Sequence, residues 1–115
     1  MYSEDIKKDL KLNFNEFYEG GISALSEKKY NLAVAAFFKA IAVLSDLKIY
    51  SILGTLPKNH NERFMILNTK FKPVYTIVSK MFKKYKDSYN LRMEKSDAEE
   101  VKENVEKIKK IIKFD

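Results

Sequence analysis

The sequence predicts an all-α protein, an antiparallel bundle of four to five helices. Three observations carry this expectation. The chain of 115 residues holds only 3 glycines and 2 prolines, too little turn material for a β-sandwich. Apolar residues recur at steps of three and four along most of its length. The interruptions in that pattern carry the residues that start and stop helices. With 45% hydrophobic and 33% charged residues, the composition is that of a globular chain, and residues 1–115 are expected to form a single domain.

The first helix is expected from Glu4 to about Glu27. Ile6, Leu10, Phe14, Phe17, Gly21, Ala24 and Leu25 form one face, and Lys8, Lys11, Asn15 and Glu19 lie opposite. Gly20 and Gly21 fall inside this pattern at a cost of about 1 kcal/mol each relative to alanine. Either another helix packs closely there or the helix bends. A second helix runs from Tyr30 or Asn31 to about Leu53. It is apolar nearly all round between residues 32 and 44, so it is central, or paired with a second chain. Its girth looks too wide for one small bundle to cover, and this predicts a homodimer.

Gly54-Thr55-Leu56-Pro57 stops the second helix. Asn59-His60-Asn61-Glu62 is a capping pattern that starts a third helix, to about Phe71. Pro73 restarts or kinks it, and an apolar face from Val74 to Tyr89 continues to about residue 90. After a loop at 90–95, Ser96-Asp97-Ala98-Glu99 has the form of a capping box. Val101, Val105, Ile108 and Ile112 then form the stripe of the last helix.

Several function classes are excluded outright. There is no cysteine and one histidine, so no disulfide scaffold, thiol nucleophile or multi-histidine metal site can be built. No glycine-rich phosphate loop, serine elbow or set of paired metal-ligand acids is present, and no cofactor is expected. No apolar run reaches the roughly 18 residues of a membrane span. Met1–Lys11 lacks the apolar core of a secretory signal, so a cytoplasmic protein is expected.

The net charge of +6 is unevenly placed. Segments 1–57 and 96–115 are neutral and slightly acidic. The segment 58–95 carries Lys58, Arg63, Lys70, Lys72, Lys80, Lys83, Lys84, Lys86, Arg92 and Lys95 against Glu62, Asp87 and Glu94. A localised basic field attracts phosphates of nucleic acids and nucleotides; a lysine-biased composition with 20 lysines and 2 arginines produces one too. Within the segment, His60, Arg63 and Lys58 are candidates for a phosphate clamp at a helix start, or else surface charge paired with Glu62. Arg92 offers a bidentate fork for phosphate, or an ion pair with Asp97 or Glu94. Tyr89 and Tyr85 are candidates for base stacking or for core with a wet edge.

Two resemblances bear on these residues. Phe17, Gly21, Ala33, Phe37 and Ala40 fall at the spacing of a single tetratricopeptide repeat. No second copy follows at 51–74, so this match reads as a helical hairpin with small interface residues. Over residues 12–113 the order of features resembles the HEPN superfamily of small helical domains. "ALSEKKYNLAVAAFFKAIAVLSDLKIYSILG" resembles its first hairpin, "LPKNHNERFMILN" its Pro-then-His helix start, and "YKDSYNLRMEKSDAEEVKENVEKIKKII" its closing pattern.

The resemblance implies a bundle that pairs into a homodimer and works beside a nucleotidyltransferase in a two-component, toxin–antitoxin-like system. Active members are metal-independent ribonucleases with an Arg followed, four to six residues on, by His. Arg92 matches the Arg position; Asp97 stands five residues on, and no His follows. The expectation is therefore a non-catalytic domain binding a nucleotide, RNA or partner protein. The alternatives are a structural interaction module of helical-hairpin type and a weak ribonuclease using Arg92 and His60.

Overall fold

A computed structural model describes residues 3–114. Five helices account for 83% of them: α1 (Ser3–Ser26), α2 (Tyr30–Leu53), α3 (His60–Lys70), α4 (Lys72–Asp87) and α5 (Lys95–Ile112). No strand occurs among the described residues. The chain is an all-α helical bundle, as its periodicity predicts.

The helix ends follow from local chemistry. The α1–α2 turn closes with Lys28 in the left-handed region at φ 63° and a hydrogen bond from Lys29 N–H to Ala24 O of 2.8 Å. Gly54 ends α2 at φ 75°, the conformation for which glycine is the cheapest residue. Asn59 Oδ1 accepts from Glu62 N–H at 2.9 Å and caps α3. Phe71 separates α3 from α4, with Pro73 in the first turn of α4, where its missing N–H costs nothing. Helix α5 starts earlier than its capping pattern suggests. The N-cap is Glu94 rather than Ser96, and the Asp97 carboxylate accepts from Glu94 N–H at 2.7 Å.

One apolar cluster joins all five helices. It runs from Phe14 and Ala24 of α1 through Phe37, Phe38, Ile41 and Leu44 of α2. Leu67, then Val74, Val78 and Met81, then Val101, Val105 and Ile108 supply the other three helices. Helix α2 packs against each of the other four. Its apolar girth is therefore covered within one chain, and the argument for a homodimer from that girth lapses. Leu32 and Ile52, at its two ends, are left exposed. Among the described residues, no helix is long and apolar enough to cross a membrane.

The two adjacent glycines have opposite roles. Gly20 faces open space, whereas a Cβ on Gly21 would overlap the Phe37 ring, 2.8 Å from Cζ and closer to Cε1 and Cδ1. Close approach of α2 explains Gly21, while nothing in the structure requires glycine at position 20. Phe37 is fully buried and cannot swing away. Gly21→Ala is therefore expected to destabilise by about 1–3 kcal/mol despite its better helix propensity. Gly20→Ala should stabilise by about 0.5–1 kcal/mol. Urea denaturation midpoints measure both; equal stability of Gly21→Ala and wild type would refute the close packing.

Candidate functional site

Helix α3 sets His60 and Arg63 one turn apart, facing α2. Arg63 meets Asp46 of α2 in a bidentate pair, Nε to Oδ1 at 2.6 Å and Nη2 to Oδ2 at 2.9 Å. The side chains are only 11% and 16% exposed, so the pair is largely desolvated. Arg63 Nη1 lies 2.7 Å from His60 Nδ1. A guanidinium can only donate, so Nδ1 accepts and the hydrogen-bond network assigns His60 the Nε2–H tautomer. Burial, and then the Arg63 charge, lower the His60 pKa against the opposing pull of Asp46. His60 is thus a neutral imidazole at pH 7.

This geometry corrects both readings of Arg63. Its fork lies on Asp46, so it forms no phosphate clamp with Lys58, and its partner is not Glu62. Glu62 instead accepts from Lys58 N–H at 3.1 Å, and the Lys58 side chain is exposed.

From His60 an aromatic run crosses to the end of α4. The His60 ring lies 5.0 Å from Phe82 and 6.1 Å from Phe64. Phe38 of α2 touches Phe82 at 5.7 Å and stacks on Tyr85 at 4.7 Å. Tyr89 meets Tyr85 edge-on at 5.4 Å, with their hydroxyls 2.8 Å apart. That hydrogen bond and burial push the Tyr85 pKa up to about 12, so the phenol stays protonated. Lys86 Nζ sits 4.9 Å over the Phe82 ring. The run ends at the surface, where Tyr89 is 71% exposed.

The turn after α4 is held from a distance. Asn31, in the first turn of α2, donates through Nδ2 to Ser88 O at 2.8 Å and Leu91 O at 2.7 Å. It also accepts at Oδ1 from Met93 N–H at 3.0 Å. This clasp fixes the turn that presents Tyr89 and Arg92. Arg92 is exposed and makes no ion pair among the described residues, which corrects the expected pairing with Asp97 or Glu94. Asp97 is engaged elsewhere: Lys84 Nζ contacts its Oδ1 at 2.5 Å and Glu100 Oε1 at 2.8 Å. Burial draws the Lys84 pKa down, but the hydrogen bonds to Asp97 and Glu100 outweigh it and the net shift is upward. The Glu94 amide and Lys84 hold Asp97 below the usual carboxylate range. Asp97 thus caps α5 and joins it to α4; both oxygens are occupied, and it is withdrawn from the candidate ligand residues.

The structure therefore brings His60, Phe82, Lys86 and Tyr89 onto one continuous face, with Arg92 on the same clasped turn as Tyr89. Sequence reasoning did not single out Asp46, Asn31 or Phe82, and reached Lys86 only as one cation of the basic segment. Asp46 left a trace, being the one acid inside an apolar helix, where an unpaired carboxylate is costly. Asn31 left none, since its partners are 57 to 62 residues away. No family model, curated protein or solved structure matches the chain.

Removing Asp46 strands a buried guanidinium, so Asp46→Ala should lose about 2–4 kcal/mol of stability in urea denaturation. The folded-state pKa of His60 lies below its unfolded value of 6.5. The unfolded state therefore binds this proton more readily. The contribution of neutral His60 is fully present above that value and is lost as the pH falls through the folded pKa. Stability should decline as the pH falls below about 6.5. His60→Gln, whose amide oxygen still accepts from Arg63, should flatten that decline; an unchanged slope would refute the assignment.

Proposed function

We propose that this chain is a non-catalytic helical domain that binds a nucleotide or single-stranded RNA. The face formed by the end of α4 and the turn at 88–93 would carry it. The single observation behind this reading is Tyr89, a largely exposed aromatic on a turn clasped by Asn31, with Arg92 in the same turn and Lys86 close behind. A base can stack on the free Tyr89 ring while the two cations meet phosphate oxygens. The loop arginine of the HEPN resemblance falls on Arg92, which supports the same reading. It also brings a homodimer and a nucleotidyltransferase partner into the proposal.

Cleavage is not part of the proposal. His60 could act as a general base only through Nε2, which carries the proton. Moving that proton to Nδ1 would set an N–H against Arg63 Nη1, leaving two donors facing each other.

Fluorescence anisotropy with a labelled single-stranded RNA and with a nucleotide tests the reading. Tyr89→Ala should weaken binding about tenfold, within the ~1–3 kcal/mol of one stacked base. Tyr89→Phe should retain most of the affinity. Arg92→Lys should weaken binding without changing the melting temperature, because its guanidinium is not paired in the fold. Lys107→Ala, on the exposed side of α5, should change little, and affinity should fall steeply with salt. Labelled RNA should stay intact throughout. If wild type binds neither RNA nor nucleotide at low salt, the face serves a protein partner instead and the proposal fails.

A further inference from the structure

A second basic site lies toward the other end of α2, about 25 Å along the helix from Asn31. The antiparallel hairpin brings the start of α1 beside the end of α2, and the end of α5 closes the third side. These elements line a recess of about 170 Å³. Four of its lining residues are Lys7, Lys11, Lys48 and Lys113; none of the lining residues is an acid. No ion pair among the described residues involves any of the four. Like charges gathered round a concavity repel one another unless an anion sits between them.

The recess has fixed walls. Lys113 closes α5 in the left-handed region at φ 57°, and Phe114 N–H folds back to Lys109 O at 2.9 Å. That turn lays the Phe114 ring on Phe14 at 4.9 Å. Lys48 is held 5.7 Å over the ring of Phe71. Glycine would occupy the position of Lys113 at lower backbone cost.

We propose that this recess binds the polyphosphate group of a small molecule. Four ammonium groups suit several phosphate charges at close spacing. The volume is below the ~300 Å³ of a typical small-molecule pocket, so it takes the phosphates and leaves the rest of the molecule outside. This is independent of the Tyr89 face: three of the four lysines lie in the segment that is neutral by charge count.

Calorimetric titration with sodium triphosphate, and in parallel with a nucleoside triphosphate, tests the site. Both should bind saturably at about 50 mM salt and weaken at about 200 mM. Tighter binding of the nucleoside form that persists in Tyr89→Ala would show the remainder of the ligand touching the rim. Lys113→Gly is the decisive variant, since it removes a charge while relieving the backbone. Its melting temperature should equal or exceed that of wild type, and its affinity should fall about fivefold. Lys48→Gln should weaken triphosphate binding similarly, and Tyr89→Ala should leave triphosphate binding unchanged. The proposal fails if wild type does not bind triphosphate, or if Lys113→Gly and Lys48→Gln both bind as wild type does. Asp115, next in the chain, lies outside the described residues. If triphosphate binds only to Asp115→Asn, the chain's own carboxylate fills the recess and the proposal also fails.

Discussion

Helix α2 is the constraint on which the rest of the molecule depends. It touches all four other helices, so nearly every side chain along its middle must be apolar. In such a helix a polar residue is costly unless it is satisfied. Three of the polar residues of α2 spend their side chains on specific hydrogen bonds. Ser45 returns its hydroxyl to Ile41 O, Asp46 grips Arg63, and Asn31 clasps the turn after α4. The last two act where apolar contact is thin. Helix α3 has Leu67 as its one buried residue, so the Asp46–Arg63 pair positions its start. The 88–93 turn lies outside the helices, and Asn31 supplies what packing does not. The central helix thus builds the core with its apolar residues and the candidate face with its polar ones.

How much of this was legible in the sequence follows from the range of the interactions. Helix boundaries rest on contacts three or four residues apart, which is why the breaks after Ser26 and Leu53 could be read directly, whereas α4, expected to run to about residue 90, ends at Asp87. The start of α5 was misplaced by two residues. Asp97 accepts from the amide of Glu94 and extends the helix backward, a bond that the Ser96 pattern conceals. Gly21 was legible as a site of close approach, but not that Phe37 would be the neighbour. The girth of α2 admitted a central helix or a paired one, and no local pattern separates the two. Arg63 and Arg92 looked alike as rare arginines in a lysine-rich chain. Only the fold separates them: Arg63 lies against a carboxylate 17 residues away, and Arg92 points into solvent.

Charge shows most clearly why counting along the chain differs from counting in space. The basic excess of segment 58–95 is partly cancelled where it folds. Arg63 meets Asp46, Lys83 meets Asp87, and Lys80 and Lys84 meet the acids of α5. The cations of the segment without an ion pair among the described residues are Lys58, Lys70, Lys72, Lys86, Arg92 and Lys95, of which Lys86 and Arg92 stand three residues either side of Tyr89. Segment 1–57, neutral by sum, distributes its charges the other way. The hairpin sets Lys7 and Lys11 beside Lys48, and the left-handed end of α5 adds Lys113 from a segment that is acidic by sum. Screening over about 10 Å lets these ammonium groups act together, although Glu4 and Asp5 share an adjoining recess with Lys7 and Lys11. A phosphate-bearing ligand responds to that local field rather than to the segment total. The same physics therefore places one anion-attracting surface inside the basic stretch and a second outside it.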